Sequence, residues 1–128
     1  CNPQYSNSQQ YLFLIQRLGL SLNGLASLLH LSCKSIQELS LNKKLEKNSK
    51  QIRFNNLFLF LYNLKFLNPN PQNIQSFLCN ERIIFDPTDE EDGDISIINF
   101  LIIQEKLIDD IPIEIKEIIE LYNKGELE

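Results

Sequence analysis

A short segment between residues 32 and 38 holds several side chains that could recognise another molecule through hydrogen bonds. A glutamine such as Gln37 can pair with the edge of an adenine through two hydrogen bonds, and a lysine such as Lys34 can donate to guanine or to phosphate. Glu38 could accept a hydrogen bond from cytosine or repel phosphate. The residues of this segment that we expect to face outward and bind are Ser32, Cys33, Lys34, Ser35, Gln37 and Glu38. The pattern indicates recognition of base edges.

A run of basic residues follows this segment. Lys43, Lys44 and Lys47 lie in a polar stretch, and Lys50 and Arg53 come shortly after it. Cationic side chains contact phosphate oxygens without reading the base sequence, and each such contact makes binding weaker as salt rises. We therefore predict that these residues contact a nucleic-acid backbone. The alternative for each lysine, a solvated surface without a ligand, stays open.

The sequence offers no set of residues for catalysis or for metal binding. His30 is the only histidine, so neither a Ser/His/Asp nor a Cys/His arrangement can be assembled around it with any specificity. The three cysteines are widely separated, and residues 86–94 lack the ligand spacing and the final glutamate of a calcium loop. We predict that the protein is not an enzyme and holds no metal and no cofactor.

Charge is distributed unevenly along the 128 residues, whose net charge is −5. Residues 1–80 contain eight basic and two acidic side chains, whereas residues 81–128 contain four basic and fifteen acidic ones. A basic half joined to an acidic half indicates two partners of opposite charge. The alternative is that the acidic half only keeps the protein soluble, and charge alone does not decide between the two.

Two short helices joined by a tight turn are predicted to position the candidate segment. Ser21 and Ser32 stand at the two cap positions. Counted from Leu22, apolar residues occupy the positions that must pack on a core, and Ala26 is the small residue that lets the two helices approach. His30 stands in the turn, where a left-handed φ is needed and glycine is usual. The apolar positions are Leu25, Leu29, Leu31, Ile36 and Leu39.

The rest of the chain is predicted to be mainly helical. Ser8 is expected to cap a first helix through Leu18, and Asn70 is expected to cap a later one. The apolar face of the first helix is expected to hold Leu12, Ile15 and Leu18, and to be widened by Phe13 and Leu14. Residues 81–85 are short and β-branched, which favours an extended segment. The helices expected after the first span residues 22–29, 32–40, 49–66, 70–79, 95–108 and 110–123.

The segment LGLSLNGLASLLHLSCKSIQEL resembles the helix-turn-helix of Xre-type (lambda-repressor-like) regulators. The segment LSLNKKLEKNSKQIRFNNLFLFLYNLKFL resembles the lysine-bearing loop and long helix that follow in antitoxins of the Xre/MbcA/ParS group. NPQNIQSFLCNERIIF is similar to the start of that group's toxin-binding region, with Phe77 where the group usually has tryptophan. An acidic loop stands in place of the group's Gly- and Pro-containing segment.

The resemblance implies an all-α fold in two parts. A lambda-repressor-like helix-turn-helix unit over residues 9–66 would bind double-stranded DNA, and a small, mainly helical, acidic part over residues 70–128 would dimerise or bind a partner. We therefore expect a cytoplasmic, sequence-specific transcriptional regulator, a repressor that acts as a homodimer and is antitoxin-like. Its acidic part could bind a toxin-like protein or a subunit of a larger complex.

A different class of function stays open. The protein could be a protein-interaction or structural subunit of a larger complex, with a helix-turn-helix that does not bind DNA. Three features favour this alternative: the net charge of −5, Glu38 in the second helix of the predicted helix-turn-helix, and His30 in the turn. The candidate dimer surfaces are the aromatic helix over residues 54–66 and the helix over residues 95–108, although both faces could instead be core.

The sequence gives no indication of a membrane-spanning segment. The longest apolar run, residues 57–61, is far shorter than the roughly 20 residues that a spanning helix needs. Because the chain begins at Cys1, we expect a trimmed or processed product. A lipoprotein tethered through Cys1 and the polar residues 2–10 is the alternative.

Overall fold

Helices make up most of the described residues, and a capping box starts the first of them. A computed structural model describes residues 5–65, 70–83, 94–108 and 113–125. Helix α1 spans Asn7–Leu18. The hydroxyl of Ser6 accepts a hydrogen bond from the backbone amide of Gln9, and the Gln9 side chain accepts one from the backbone amide of Ser6. The prediction that Ser8 caps this helix is wrong, because Ser6, unlike Ser8, has a glutamine three residues later.

The next three helices follow in the predicted order. Their bounds are Leu22–Leu29 for α2, Cys33–Ser40 for α3 and Asn48–Asn63 for α4. Ser21 and Ser32 cap α2 and α3 through hydroxyl groups that accept hydrogen bonds from first-turn amides, which confirms both predicted caps. The backbone of Leu64 is extended, so α4 ends before Phe66, which lies outside the described residues.

Two short strands interrupt the helices in the second half of the chain. The bounds are Pro71–Cys79 for α5, Glu81–Ile83 for β1, Asp94–Ser96 for β2, Ile97–Ile102 for α6 and Ile113–Asn123 for α7. The side chain of Asn70 caps α5 as predicted. The strands pair antiparallel with Arg82 opposite Ile95, which confirms the extended segment over residues 81–83. The acidic residues 86–93 and the predicted start of the last helix at residue 110 lie outside the described residues.

The single helix predicted over residues 95–108 does not form. Its first residues belong to β2, and the hydroxyl of Ser96 accepts a hydrogen bond from the amide of Asn99, so α6 begins only at Ile97. After α6, the fully buried side chain of Asn56 in α4 holds the chain in a non-helical path. Its Nδ2 donates to the carbonyl of Lys106 over 2.9 Å, and its Oδ1 accepts from the amide of Ile108 over 2.8 Å.

One hydrophobic core joins the parts of the chain on either side of residues 66–69. Helix α4 runs through this core, with Phe54, Phe60 and Leu61 fully shielded from solvent. Most of its aromatic face is therefore core, whereas Tyr62 near the end of the helix is 41% exposed. Helix α5 packs on α1 so closely that a Cβ atom at Gly19 would lie 3.0 Å from Cβ of Pro71.

Helix α1 buries Leu14 and Leu18 as its sequence predicted, but not Leu12. Gln10, Leu14 and Leu18 are its buried residues. Leu12, expected on the buried face, is 53% exposed. Residues two apart on a helix point in nearly opposite directions, so the burial of Leu14 turns Leu12 toward solvent.

No single helix among the described residues is long and apolar enough to cross a bilayer. α1 and α2 reach the required length only as a pair, with a bend of 93° between them. α4, with 16 residues, is shorter than the roughly 20 residues that a spanning helix needs.

Candidate nucleic-acid interface

Helices α2 and α3 pack on the core through one face each, which leaves the other face of α3 open to solvent. Leu25 and Leu29 of α2 and Ile36 and Leu39 of α3 are fully buried. Ala26 is also buried, and its small side chain lets the two helices approach closely. These side chains fix α3 on the domain while its outer face remains available to a ligand.

The turn between α2 and α3 is built on a left-handed histidine. His30 has φ 55° and ψ 42°, which confirms the conformation that the spacing predicts for this position. This region of φ and ψ costs a non-glycine residue about 1–2 kcal/mol. The turn is closed by backbone hydrogen bonds, among them one of 2.9 Å from the amide of Leu31 to the carbonyl of Ala26. Their geometry fixes the point at which α3 begins.

Arg53 of α4 holds the same turn from the side of the core. Its Nη1 atom donates to the carbonyl oxygens of Leu29 and His30, over 2.9 and 3.0 Å. These carbonyls belong to the C-terminal end of α2, where backbone oxygens lack helical partners and the helix dipole is negative. Arg53, expected to contact phosphate, is therefore committed to the turn, and its Nε atom is buried as well.

Most of the residues expected on the outer face of α3 do lie there. Ser32, Cys33, Lys34 and Gln37 are exposed, and Glu38 is half-buried. Lys34 and Gln37 are three residues apart, so their side chains project side by side.

Ser35 departs from the expected outward set. The prediction that it faces outward is wrong, because it lies four residues before Leu39 on the same buried stripe. Only 9% of Ser35 is exposed, and its hydroxyl lies 2.9 Å from that of Ser32. Both hydroxyl groups are thus occupied at the start of α3, where the Ser32 hydroxyl also accepts a hydrogen bond from the Ser35 amide.

The thiol of Cys33 connects the outer faces of α2 and α3. Its Sγ atom donates to Oδ1 of Asn23 over 3.1 Å, and both residues are exposed. Asn23, which sequence reasoning did not single out, therefore belongs to the same surface as Lys34 and Gln37. Cys79 is a second free thiol on another face, and burial raises its pKa.

The loop between α3 and α4 presents basic side chains next to the end of α3. We call it the lysine loop; its exposed lysines are Lys43, Lys44 and Lys47. Asn42 opens the loop with φ 66°, and its amide donates to the carbonyl of Leu39 over 2.9 Å. The amide of Lys43 donates to the carbonyl of Glu38 over 2.8 Å, and the buried side chain of Leu45 anchors the loop in the core. The lysine side chains thus extend from a fixed backbone.

Neutral amide side chains tie this loop to α1 and α4. Oε1 of the buried Gln51 accepts a hydrogen bond from the backbone amide of Leu45 over 3.1 Å. Nε2 of Gln51 donates to Oδ1 of Asn7 and to Oδ1 of Asn55, over 3.1 and 3.0 Å. Asn55 donates in turn to Oε1 of Gln10 over 2.7 Å. Sequence reasoning missed this network, whose only signal is the presence of amides on helix faces that are otherwise apolar.

No group of three histidine, cysteine, aspartate or glutamate side chains in the described part of the chain is arranged to hold a metal ion. Comparison of the chain with protein-family models, with curated proteins and with solved structures gives no match. The inference of a function therefore rests on the chemistry of the α3 face and of the lysine loop.

Proposed function

We propose that this protein is a sequence-specific DNA-binding transcriptional regulator whose helix α3 enters the major groove of double-stranded DNA. The outer face of α3 is the observation that carries the proposal. Lys34 and Gln37 project from it side by side, while Ile36 and Leu39 hold the opposite face in the core. A helix fixed in this way can bring its side chains to base edges without loosening the domain.

Each exposed residue of α3 has a distinct role in this proposal. Gln37 pairs with adenine through its amide, and Lys34 donates to guanine or to a phosphate. Glu38 is half-buried and accepts from cytosine at the edge of the contact. Ser32 caps α3, and the first amides of the helix that it caps face a phosphate, as the positive end of a helix dipole favours. Cys33, held by Asn23, fills the space between α2 and the bases.

The lysine loop supplies the sequence-independent part of binding. Lys43, Lys44 and Lys47 each neutralise one phosphate, and each released counterion makes binding more sensitive to salt. Since the net charge of the chain is −5, this local concentration of positive charge is needed to bring the protein to DNA.

The Xre-type resemblance extends the proposal to a biological setting. We propose a lambda-repressor-like, antitoxin-like repressor that acts in the cytoplasm as a homodimer on a palindromic site. A dimer doubles the few base contacts that one short helix can make. The acidic residues 81–128 would then bind a toxin-like protein or another subunit.

Selection of DNA from a random library by the purified protein, at moderate salt, tests the proposal. The double variant Lys34→Ala, Gln37→Ala is compared with Gln72→Ala, Lys116→Ala, which removes two exposed side chains of the same types from α5 and α7. We expect an enriched palindrome with the wild type and the control, and none with the α3 variant. A folded wild type that enriches no sequence would overturn the proposal.

A second candidate function is supported by the net charge of −5 and by the half-buried Glu38 beside the outer face of α3. In this alternative the protein is a protein-interaction or structural subunit that does not bind DNA. Affinity for DNA that falls steeply with salt distinguishes the first function from the second. DNA affinity below detection, together with a stable stoichiometric protein complex, would favour the second.

A further inference from the structure

A pocket of about 450 Å³ is bounded by three parts of the chain: the lysine loop, the first half of α4 and residues 105–107. Lys44 of the lysine loop and Lys106 of the later segment both line it, and we call it the two-lysine pocket. The polar side chains that α4 contributes are Asn48, Gln51 and Asn55. A basic residue from the acidic half of the chain therefore lies beside the basic loop.

Two buried amide side chains of α4 fix the backbones that carry these lysines. Gln51 is 6% exposed, and its Oε1 accepts a hydrogen bond from the amide of Leu45, next to Lys44, over 3.1 Å. Asn56 is fully buried, and its Nδ2 donates to the carbonyl of Lys106 over 2.9 Å. Buried polar groups with satisfied hydrogen bonds make the surrounding structure rigid. One helix thus sets the distance between the two lysine-bearing segments.

The charges of the two-lysine pocket favour an anionic ligand. Lys44 and Lys106 are exposed, and among the described residues neither side chain forms an ion pair. Glu105 is the third charged residue of the lining, so two positive charges stand against one negative charge. In a chain whose net charge is −5, such a site is a local concentration of positive charge.

The openness of the pocket indicates an extended ligand. Lys44, Asn48 and Lys106 are exposed, as are Glu105 and Leu107, so a small molecule would stay largely in contact with solvent. Sites for small molecules usually enclose most of the ligand surface. A DNA backbone passes over a protein surface and presents a row of phosphates, and it already meets the lysine loop in the proposed function. A lysine is a point charge on a flexible stem, which suits contact with such a row.

We propose that Lys106 contacts the DNA backbone beside Lys44, each lysine neutralising one phosphate. This inference rests on the proposed function and extends its interface into the acidic half of the chain. Glu105 lines the same pocket and weakens the contact, because a carboxylate repels phosphate.

Titrations of the selected DNA at several salt concentrations test the inference. Lys106→Ala is compared with Lys116→Ala, which removes the same charge from an exposed position of α7 outside the pocket. We expect Lys106→Ala to reduce the slope of log K against log salt by about 0.9, and the double variant Lys44→Ala, Lys106→Ala to reduce it by about 1.8. Lys116→Ala should keep the wild-type slope, and so should Lys106→Arg, which retains the charge.

The same titrations with random DNA distinguish a backbone contact from a base contact. Phosphate contacts carry no sequence information, so Lys106→Ala should weaken binding to selected and to random DNA by the same factor. The ratio of the two affinities should therefore equal that of the wild type. A ratio that falls would mean that Lys106 contacts bases, which would overturn the assignment to the backbone.

A second variant predicts a change of the opposite sign and keeps the test decisive if Lys106→Ala fails to fold. Glu105→Gln removes the carboxylate from the pocket and should raise affinity for DNA about twofold, the size of effect expected for an exposed charge. Glu117→Gln, at an exposed position of α7, is its control and should leave affinity unchanged. Unchanged affinity in Glu105→Gln would count against a phosphate at this pocket.

The outcomes separate this inference from the proposed function. A wild type that binds DNA, together with Lys106→Ala at the wild-type slope, removes the inference and leaves the proposed function standing. Equal losses of slope in Lys106→Ala and Lys116→Ala would also overturn it, because the effect would then come from net charge alone. A folded wild type without affinity for DNA removes both.

Discussion

The Nη1 atom of Arg53 donates a hydrogen bond of 3.0 Å to the carbonyl oxygen of His30, the left-handed residue between α2 and α3. The same atom donates to the carbonyl oxygen of Leu29. A side chain of α4 thus holds the turn that sets the direction of α3. Because Arg53 approaches the turn from the core side, its effect on a ligand of α3 would be indirect.

Replacement of Arg53 should weaken DNA binding without changing its salt dependence. We expect Arg53→Met to lower affinity for the selected DNA about tenfold, since the turn loses hydrogen bonds worth about 1–1.5 kcal/mol. The slope of log K against log salt should stay unchanged, whereas Lys44→Ala should reduce it by about 0.9. Titrations at several salt concentrations give both quantities. If Arg53→Met also reduced the slope by that amount, Arg53 would be a phosphate contact after all.

The left-handed conformation of His30 predicts opposite effects for two replacements. His30→Gly should raise the free energy of unfolding by about 1 kcal/mol, because glycine adopts φ 55° without steric cost. His30→Val should lower it, because a β-branched side chain is strongly disfavoured at positive φ. Urea unfolding followed by circular dichroism measures both changes. A destabilised His30→Gly variant would mean that the imidazole itself stabilises the turn.

The buried amide of Asn56 should be among the most sensitive polar positions. Asn56→Ala leaves the carbonyl of Lys106 and the amide of Ile108 without their partners. We expect a loss of about 2–4 kcal/mol in the free energy of unfolding, because each unsatisfied buried group costs about 1–3 kcal/mol. The exposed Asn73 of α5 is the matched control, and Asn73→Ala should change stability by less than about 0.5 kcal/mol. Similar losses of unfolding free energy in the two variants would contradict a stabilising role for the two hydrogen bonds of Asn56.

The contact between Tyr5 and Tyr62 should make stability depend on alkaline pH. A hydrogen bond with Tyr62 raises the pKa of the Tyr5 phenol above its ordinary value of 10.0. The folded chain then holds this proton more tightly than the unfolded chain, so the contribution to stability is full below pH 10.0 and is lost as pH rises through the folded-state pKa. In Tyr5→Phe the free energy of unfolding should fall less steeply above pH 10.0. Urea unfolding on both sides of that pH measures the difference, and parallel curves for the two proteins would refute it.

Features decided by neighbouring residues were predictable from the sequence. Ser21, Ser32 and Asn70 cap helices because their side chains reach amides two or three residues away, whereas the equally local cap at Ser6 was wrongly assigned to Ser8. The left-handed turn at His30 followed from the spacing of the apolar residues around it. The exposed positions of Lys34 and Gln37 followed from the burial of Ile36 and Leu39 on the other face of the same helix.

Features decided by distant partners were not predictable in this way. The composition of α1 permits more than one buried face, and packing against α3, α4 and α5 selects the one that leaves Leu12 outside. The path of residues 103–108 depends on Asn56, which lies 50 residues from its partner Lys106. Arg53 carries the charge of a phosphate contact, but its Nη1 bonds to the turn 23 residues before it. A pattern of residue types contains no information about such pairings.

The seating of α5 on the end of α1 has a consequence for biosynthesis. Gln75 donates to the carbonyl of Leu18, and Pro71 covers Gly19, so the surface that completes α1 is encoded 57 residues after Leu18. At translation rates of about 5–20 residues per second, roughly 3 to 11 seconds separate the synthesis of Leu18 from that of Gln75. During that interval the apolar side of the nascent N-terminal helices is incompletely covered, and chaperones or proteases can reach it. The growing chain is therefore most vulnerable before its second half has emerged.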